Sequence, residues 1–349
     1  MFESFGGKPD ANSLKKIHQS KQFKKGRFRN KQTTVLRPSL KMIFRLMRDY
    51  WQDSRSKRVP KQIIDNRALK KQAIQKSNDS ITWLGHSTLI IKLQGEIIAT
   101  DPIVADKKIG PFSWLGIKSF RYKHRYQINE LPSSIDAVLI SHDHYDHLDM
   151  PTIKKIHSRV KNFLVPLGVK AHLVEWGVPS EKIHEFDWHE SVQIGPIKYT
   201  ATPSQHFSGR SLTDSACTLW ASWVIETKKN RLFYSGDTGY SKHFKEIGKQ
   251  YGPFDLAFIE CGAYSRNWSD VHMFPKESVQ ACIDLKCKTM IPIHWGKYNL
   301  AFHGWLEPVQ IAEAASQQNK INLLTPLMGE TLALNQKPAT NEWWKKLIN

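Results

Sequence analysis

Apolar residues in this chain fall into short branched-chain runs separated by polar turns, the texture of a layered α/β protein. Residues 81–93 and 95–102 read as two strands and a turn, and residues 135–140 as a short buried strand. Strand-like runs recur at residues 162–165, 197–202, 221–226, 231–234, 256–259 and 289–293, with helical stretches such as 151–157 and 275–286 between them. Strands first, then strands mixed with helices, predict one α/β domain over residues 79–349. Residues 1–78 have a different texture. The first 37 are polar and basic and read as an irregular arm. After Pro38, Leu40, Ile43, Phe44, Met47, Tyr50 and Trp51 recur at helical spacing. That stripe suits a helix packed on the main domain or one lying in a membrane interface. A second basic helix is expected over residues 61–76. Residues 104–130 form a long basic loop carrying Phe112, Trp114, Leu115, Ile117, Phe120, Tyr122 and Tyr126, the kind of loop that serves as a lid or binding surface.

Composition sharpens this picture. A chain of 349 residues, 40% apolar and 11% aromatic, is long and apolar enough to bury a core and is not a disordered polyanion or polycation. The net charge of +19 is concentrated: residues 1–78 carry 21 Lys and Arg against 5 Asp and Glu, the rest 30 against 27. A basic N-terminal extension of this kind expects a polyanionic partner: a phospholipid surface, a nucleic acid or an acidic protein. No apolar run is long enough to cross a bilayer, and the first ten residues lack the apolar centre of a signal peptide. Cys217, Cys261, Cys282 and Cys287 show no C-x-x-C spacing and read as free thiols. The expected location is the cytoplasm, with peripheral contact at the inner membrane surface.

The chemistry is concentrated in residues 141–149. His142, His144, Asp146 and His147 form a His-x-His-x-Asp-His run directly after the strand at 135–140. Imidazole nitrogen with carboxylate oxygen is what borderline divalent metals prefer. On an extended chain, residues 142 and 144 point the same way. The turn that follows lets Asp146 and His147 address a neighbouring position, so the spacing suits two metals better than one. His206, Asp237 and His294 each lie at or near a predicted strand end, Asp237 flanked by Gly236 and Gly239. As an ordered set after the His run they become candidate ligands.

With these residues in place the chain resembles the metallo-β-lactamase superfamily, and within it the branch of N-acylphosphatidylethanolamine-hydrolysing phospholipases D. The resemblance runs from about residue 20 to about residue 310. Residues 22–30, 83–88, 100–102, 141–149, 235–240 and 293–296 carry it, and Gly26, Arg27, Phe28, Arg29 and Asn30 point most specifically to this branch. It implies a four-layer αββα sandwich with two zinc ions at one edge of the sheets, other divalent transition metals being admitted by the same ligand set. His142, His144 and His206 would hold one ion, and Asp146, His147 and His294 the other, with Asp237 bridging. Asp101 would orient a ligand imidazole from behind, and His86 is either a second such group or a buried structural histidine. His272 falls where the family carries a pocket histidine.

Two bridged zincs would supply hydroxide near neutral pH for attack on a phosphodiester. Asp146, Tyr145 and His272 are the candidate catalytic residues: Tyr145, between two ligands, as donor to a phosphoryl oxygen, and His272 as phosphate binder or proton donor. His303, Lys297 and Tyr298 are further pocket candidates. The expected activity is phospholipase D-type release of a phospholipid head group at a membrane surface, with no nucleic-acid partner. A metal-dependent nuclease or a lactonase on the same fold is the alternative.

Overall fold

The computed structural model describes residues 3–34, 55–104, 108–111, 116–334 and 342–348. The helical stripe from Leu40 to Trp51 lies outside the described residues, as do Phe112, Trp114 and Leu115.

A short antiparallel hairpin comes first, β1 (Phe23–Lys24) and β2 (Arg27–Phe28). The first half of the chain then supplies β3 (Ser80–Trp83), β4 (Leu89–Leu93), β5 (Glu96–Thr100), β6 (Ile135–Leu139), β7 (Val160–Pro166) and β8 (Ile183–Phe186). The second half supplies β9 (Ser191–Ile194), β10 (Ile197–Thr202), β11 (Ser222–Glu226), β12 (Arg231–Tyr234), β13 (Leu256–Glu260), β14 (Thr289–Ile293) and β15 (Asn322–Leu323). A last strand, β16 (Thr331–Ala333), returns to pair with β3. The result is two seven-stranded sheets, ordered β16-β3-β4-β5-β6-β7-β8 and β15-β14-β13-β12-β11-β10-β9. Each sheet begins with an antiparallel meander and continues with parallel pairs: β5, β6, β7 and β8 in the first, β12, β13, β14 and β15 in the second.

Alternation along the strands separates the layers. In β12, Leu232 and Tyr234 join the large core between the sheets, while Phe233 packs outward on Phe244 and Phe254. In β13, Leu256 and Phe258 face inward, and Ala257 and Ile259 face outward toward the helices His243–Gln250 and Pro275–Asp284. Side chains two apart on a strand share a face, so each strand has one set of residues for each neighbour. Trp223 ties the sheets together, its Nε1 donating to the Ile140 carbonyl at 2.9 Å. On the first sheet, the helices Met150–Ile156 and Lys170–Glu175 bury Ile153, Ile156 and Leu173. The order is helix, sheet, sheet, helix.

The helix Met150–Ile156 follows the His run immediately and is started by Asp149. That side chain accepts from the Thr152 backbone N–H at 3.0 Å, and Pro151 occupies the first turn, where its missing N–H costs nothing. Asp149→Ala is expected to lower stability by about 1 kcal/mol, read as a shifted denaturation midpoint at unchanged slope. An unshifted midpoint would show that the cap contributes nothing.

Two expectations are corrected here. Residues 3–34 are not an irregular arm: they contain the helix Ala11–Gln19 and the β1–β2 hairpin, and Ile17 and Phe28 join the main core. Glu3 and Ser4 accept from Trp176 Nε1 (2.7 Å) and Arg210 Nε (2.9 Å) through their carbonyls. Residues 61–76 are helical only over Lys71–Lys76. Ile64 in that stretch instead forms a parallel bridge with Tyr122 of the long loop, and Ser119 bridges Tyr298. Phe120 and Tyr126 of that loop are buried, so those two aromatics serve packing; Ile117 is exposed.

Candidate metal centre

Strand direction assembles the site. β5 and β6 run parallel, and β3 regains their direction after two antiparallel steps through β4. In the second sheet β12, β13 and β14 run parallel, and β10 regains that direction through β11. The C-terminal ends of these seven strands carry the polar side chains, the usual place for a site in α/β sheets. His86 follows β3, Asp101 follows β5 and His142–His147 follow β6; His206, Asp237 and His294 follow β10, β12 and β14. Gly236, at φ +57, allows the closest approach: a Cβ there would overlap the Ser141 side chain. His86, Asp101 and His294 have φ of +53, +34 and +63, left-handed values that cost a non-glycine residue free energy and concentrate at functional sites. Backbone hydrogen bonds tie His86 to the end of β14: His294 N donates to His86 O at 3.0 Å, and His86 N donates to Trp295 O at 3.3 Å.

Two groups of ligand atoms result. His144 Nδ1 lies 2.8 Å from His142 Nε2 and 3.2 Å from His206 Nε2. In the second group Asp146 Oδ2 lies 3.5 Å from His147 Nε2 and 3.3 Å from His294 Nε2. Asp237 stands between them. Its Oδ1 is 3.2 Å from His147 Nε2, and its Oδ2 is 3.0, 3.9 and 4.0 Å from the Nε2 atoms of His294, His206 and His142. Asp101 buttresses from behind, its Oδ2 accepting from His147 Nδ1 at 2.6 Å and its Oδ1 from the Ser141 N–H at 2.7 Å. That bond fixes the tautomer in which His147 Nε2 carries a free lone pair. His206 is set likewise, with Nδ1 donating to the Val271 carbonyl at 2.9 Å.

The electrostatics ask for a cation. Burial, then the neighbouring His147 and His144, hold His142 well below the ordinary imidazole range, and burial does the same for His206. Both are therefore neutral, the ligating form. His147 and His294 behave oppositely: burial opposes their charge, but Asp237 and Asp146 overcome it, lifting His147 well above its usual value and His294 to about 10. Two protons thus balance buried carboxylates where divalent ions would displace them. His147 Nε2 and Asp237 Oδ1 are buried and face each other at 3.2 Å without hydrogen-bond geometry, the approach of two atoms that could share a metal. The seven side chains fit a pair of divalent transition metals.

The cluster opens into a cavity of about 320 Å³ lined by His144, Asp146, Asp237, His272 and His294, with Phe207, Ala263, Trp268, Val271 and Leu300 as its apolar wall. His272 is on that wall, its Nδ1 3.2 Å from Glu260 Oε2. Glu260 closes the apolar strand β13, fully buried, and its other oxygen accepts from the Met273 N–H at 2.7 Å. Burial raises its pKa against the pull of His272. Sequence reasoning missed Glu260, although a carboxylate ending an apolar strand was a signal. His86 belongs to the site, with Nε2 3.1 Å from Asp146 Oδ2. Tyr145 does not, which corrects its assignment as a catalytic donor: its hydroxyl donates to the Arg210 carbonyl at 2.6 Å, and its ring lies under the Arg210 guanidinium. His303 stacks on Tyr264 outside the cavity. Lys297 and Tyr298 line a separate cavity of about 640 Å³.

The Beta-lactamase superfamily domain family matches residues 98–295. An uncharacterized protein of Mycobacterium tuberculosis is 40% identical over 270 residues, covering 76% of this chain and 72% of that protein. N-acyl-phosphatidylethanolamine-hydrolyzing phospholipase D 1 of Caenorhabditis elegans is 35% identical over 267 residues, 71% of this chain and 74% of its own. Among solved structures, the diiron β-hydroxylase CmlA of Streptomyces venezuelae superposes with a TM-score of 0.55 at 18% identity. That match covers 74% of this chain and 54% of CmlA, about half its length, and speaks for the fold alone. On these matches and the architecture above, the chain belongs to the metallo-β-lactamase superfamily, in its branch similar to N-acylphosphatidylethanolamine-hydrolysing phospholipase D, and is a metal-dependent hydrolase.

Proposed function

We propose that this hydrolase is a binuclear zinc phosphodiesterase that releases the head group of a phospholipid, with an N-acylphosphatidylethanolamine-like substrate. The observation that carries the reading is the cavity, in which Asp237 and both ligand groups face the apolar wall of Phe207, Trp268 and Leu300. A phosphoryl group at the ligands would leave its apolar neighbours against that wall. A metal pair held there would supply a water of lowered pKa and a Lewis acid for a phosphoryl oxygen. The protein's own part is positioning. Asp101 and the Val271 carbonyl hold His147 and His206 in their ligating tautomers. Glu260 engages His272 Nδ1 and leaves Nε2 to hydrogen-bond a substrate oxygen or the departing alkoxide. The imidazole-rich donor set favours zinc, although a diiron protein shares the fold.

A lipid surface as partner is supported by the exposed cations Lys15, Lys16, Lys21, Lys24, Lys25 and Arg29 on the N-terminal helix and hairpin. Each cation near an anionic surface contributes about 1 kcal/mol. No helix among the described residues is long and apolar enough to cross a membrane. Contact is therefore proposed as peripheral, at the inner membrane surface. The test is head-group release from vesicles carrying N-acylphosphatidylethanolamine, run beside an RNA and a lactone with zinc-loaded protein. Release from vesicles with the other two substrates untouched is the expected result. Cleavage of RNA or lactone without head-group release would replace this reading by the nuclease or lactonase one.

A further inference from the structure

The Gly26–Asn30 stretch, to which the resemblance pointed most specifically, has served above only for packing and for one exposed cation. It ends at the metal centre. His206 emerges in residues 203–221, where the chain forms neither helix nor strand, so its peptide group has no ladder partner. Asn30 fills that place. Its Nδ2 donates to the His206 carbonyl at 2.8 Å, and its Oδ1 accepts from the His206 N–H at 3.1 Å. One carboxamide thus serves both polar groups of a ligand residue 176 positions away, as a neighbouring strand would.

Asn30 is itself held in place. Its Oδ1 also accepts from Trp220 Nε1 at 2.9 Å, and its Nδ2 also donates to Thr34 Oγ1 at 3.0 Å. The hairpin before it is stapled down: Phe28 is buried in the main core and donates its N–H to the Ala216 carbonyl at 2.8 Å. Arg27 Nη2 donates to the Thr213 carbonyl at 2.9 Å, and its Nη1 to Cys217 Sγ. Thr213, Ala216, Cys217 and Trp220 all lie in the loop that carries His206.

We infer that Asn30 is a positioning residue of the metal centre, fixing the His206 backbone so that its imidazole completes the His142–His144–His206 ligand group. The N-terminal segment is then a structural part of one metal site and not of the other. Among the described residues no hydrogen bond joins Asn30 to Asp146, His147 or His294; His147 and Asp146 are bonded to Asp101 and His86 instead. This rests on the two-metal reading of the cluster, but not on the identity of the substrate.

The test is metal retention. Purified holoprotein is dialysed against graded chelator and its metal content measured, with wild type expected to release two ions in two steps. Asn30→Ala should weaken one step by roughly 10- to 100-fold, the usual effect of removing a group behind a ligand, and leave the other unmoved. Asn30→Asp keeps the volume and the acceptor oxygen but loses the donor to the His206 carbonyl; it should shift the same step and serves if the alanine variant misfolds. A mere staple for the hairpin would lower the denaturation midpoint of either variant without touching the difference between the steps. Both steps unchanged, or both weakened equally, overturns the inference. A wild-type protein that releases fewer than two ions overturns the two-metal reading, and this inference with it.

Discussion

Asp237→Ala is expected to cut hydrolysis by roughly a thousandfold, the rate equivalent of several kcal/mol of lost transition-state stabilisation. The Asp237 carboxylate addresses both ligand groups. Its Oδ2 stands within 4.0 Å of imidazoles on each side, and its Oδ1 faces His147. Alanine would leave two groups of ligands sharing no donor, so metal content should fall below two per chain along with turnover. The two readouts check each other. Elemental analysis that finds both ions retained and turnover within tenfold of wild type would remove Asp237 from the centre.

Asp101→Asn should have the next largest effect. The carboxylate of Asp101 accepts four hydrogen bonds, from His147 Nδ1, Ser141 N, Ser141 Oγ and the Tyr234 hydroxyl. An amide of the same shape turns one oxygen into a donor facing other donors. With the NH2 toward His147, the imidazole either meets an N–H or flips and places a proton on Nε2, the atom that faces Asp237; with the NH2 toward Ser141, the backbone N–H that anchors the start of the His run is left facing a donor. Both outcomes weaken the second ligand group. Metal affinity or activity should fall roughly 10- to 100-fold, and the buried mismatch should cost about 1–3 kcal/mol of stability. Chelator-buffered titration separates the two effects. A lower denaturation midpoint with unaltered metal affinity would make Asp101 a packing group and nothing more.

How far a residue could be recognised from sequence depended on where its partners lie. His142, His144, Asp146 and His147 were legible because four donors on one turn need no distant chain to suggest a metal. His206, Asp237 and His294 were legible as an ordered series at strand ends, since a site at the C-terminal edge of a sheet draws on several strands. Tyr145 was misplaced because position between two ligands does not say which side of a turn a ring takes; its ring went to Arg210. Glu260 and Asn30 went unrecognised because their partners, His272 and His206, are set by the packing of elements, not by local spacing. The N-terminal segment was read as an arm because charge dominates its composition. Within residues 3–34, Ile17 and Phe28 reach the core and Phe23 packs against it, too sparse a set to show a period.

Local pattern alone was enough for the strand runs, the mixed α/β class and the candidate donors of residues 142–147, because alternation and ligand chemistry act over a few residues. Tertiary structure alone decided that Asp237 stands between two imidazole groups, that Glu260 backs His272, and that a hairpin near the start of the chain braces His206. Those facts depend on strand order and on two sheets packed face to face. Contacts of that kind arise from the packing free energy of the whole domain, which no single stretch of sequence carries.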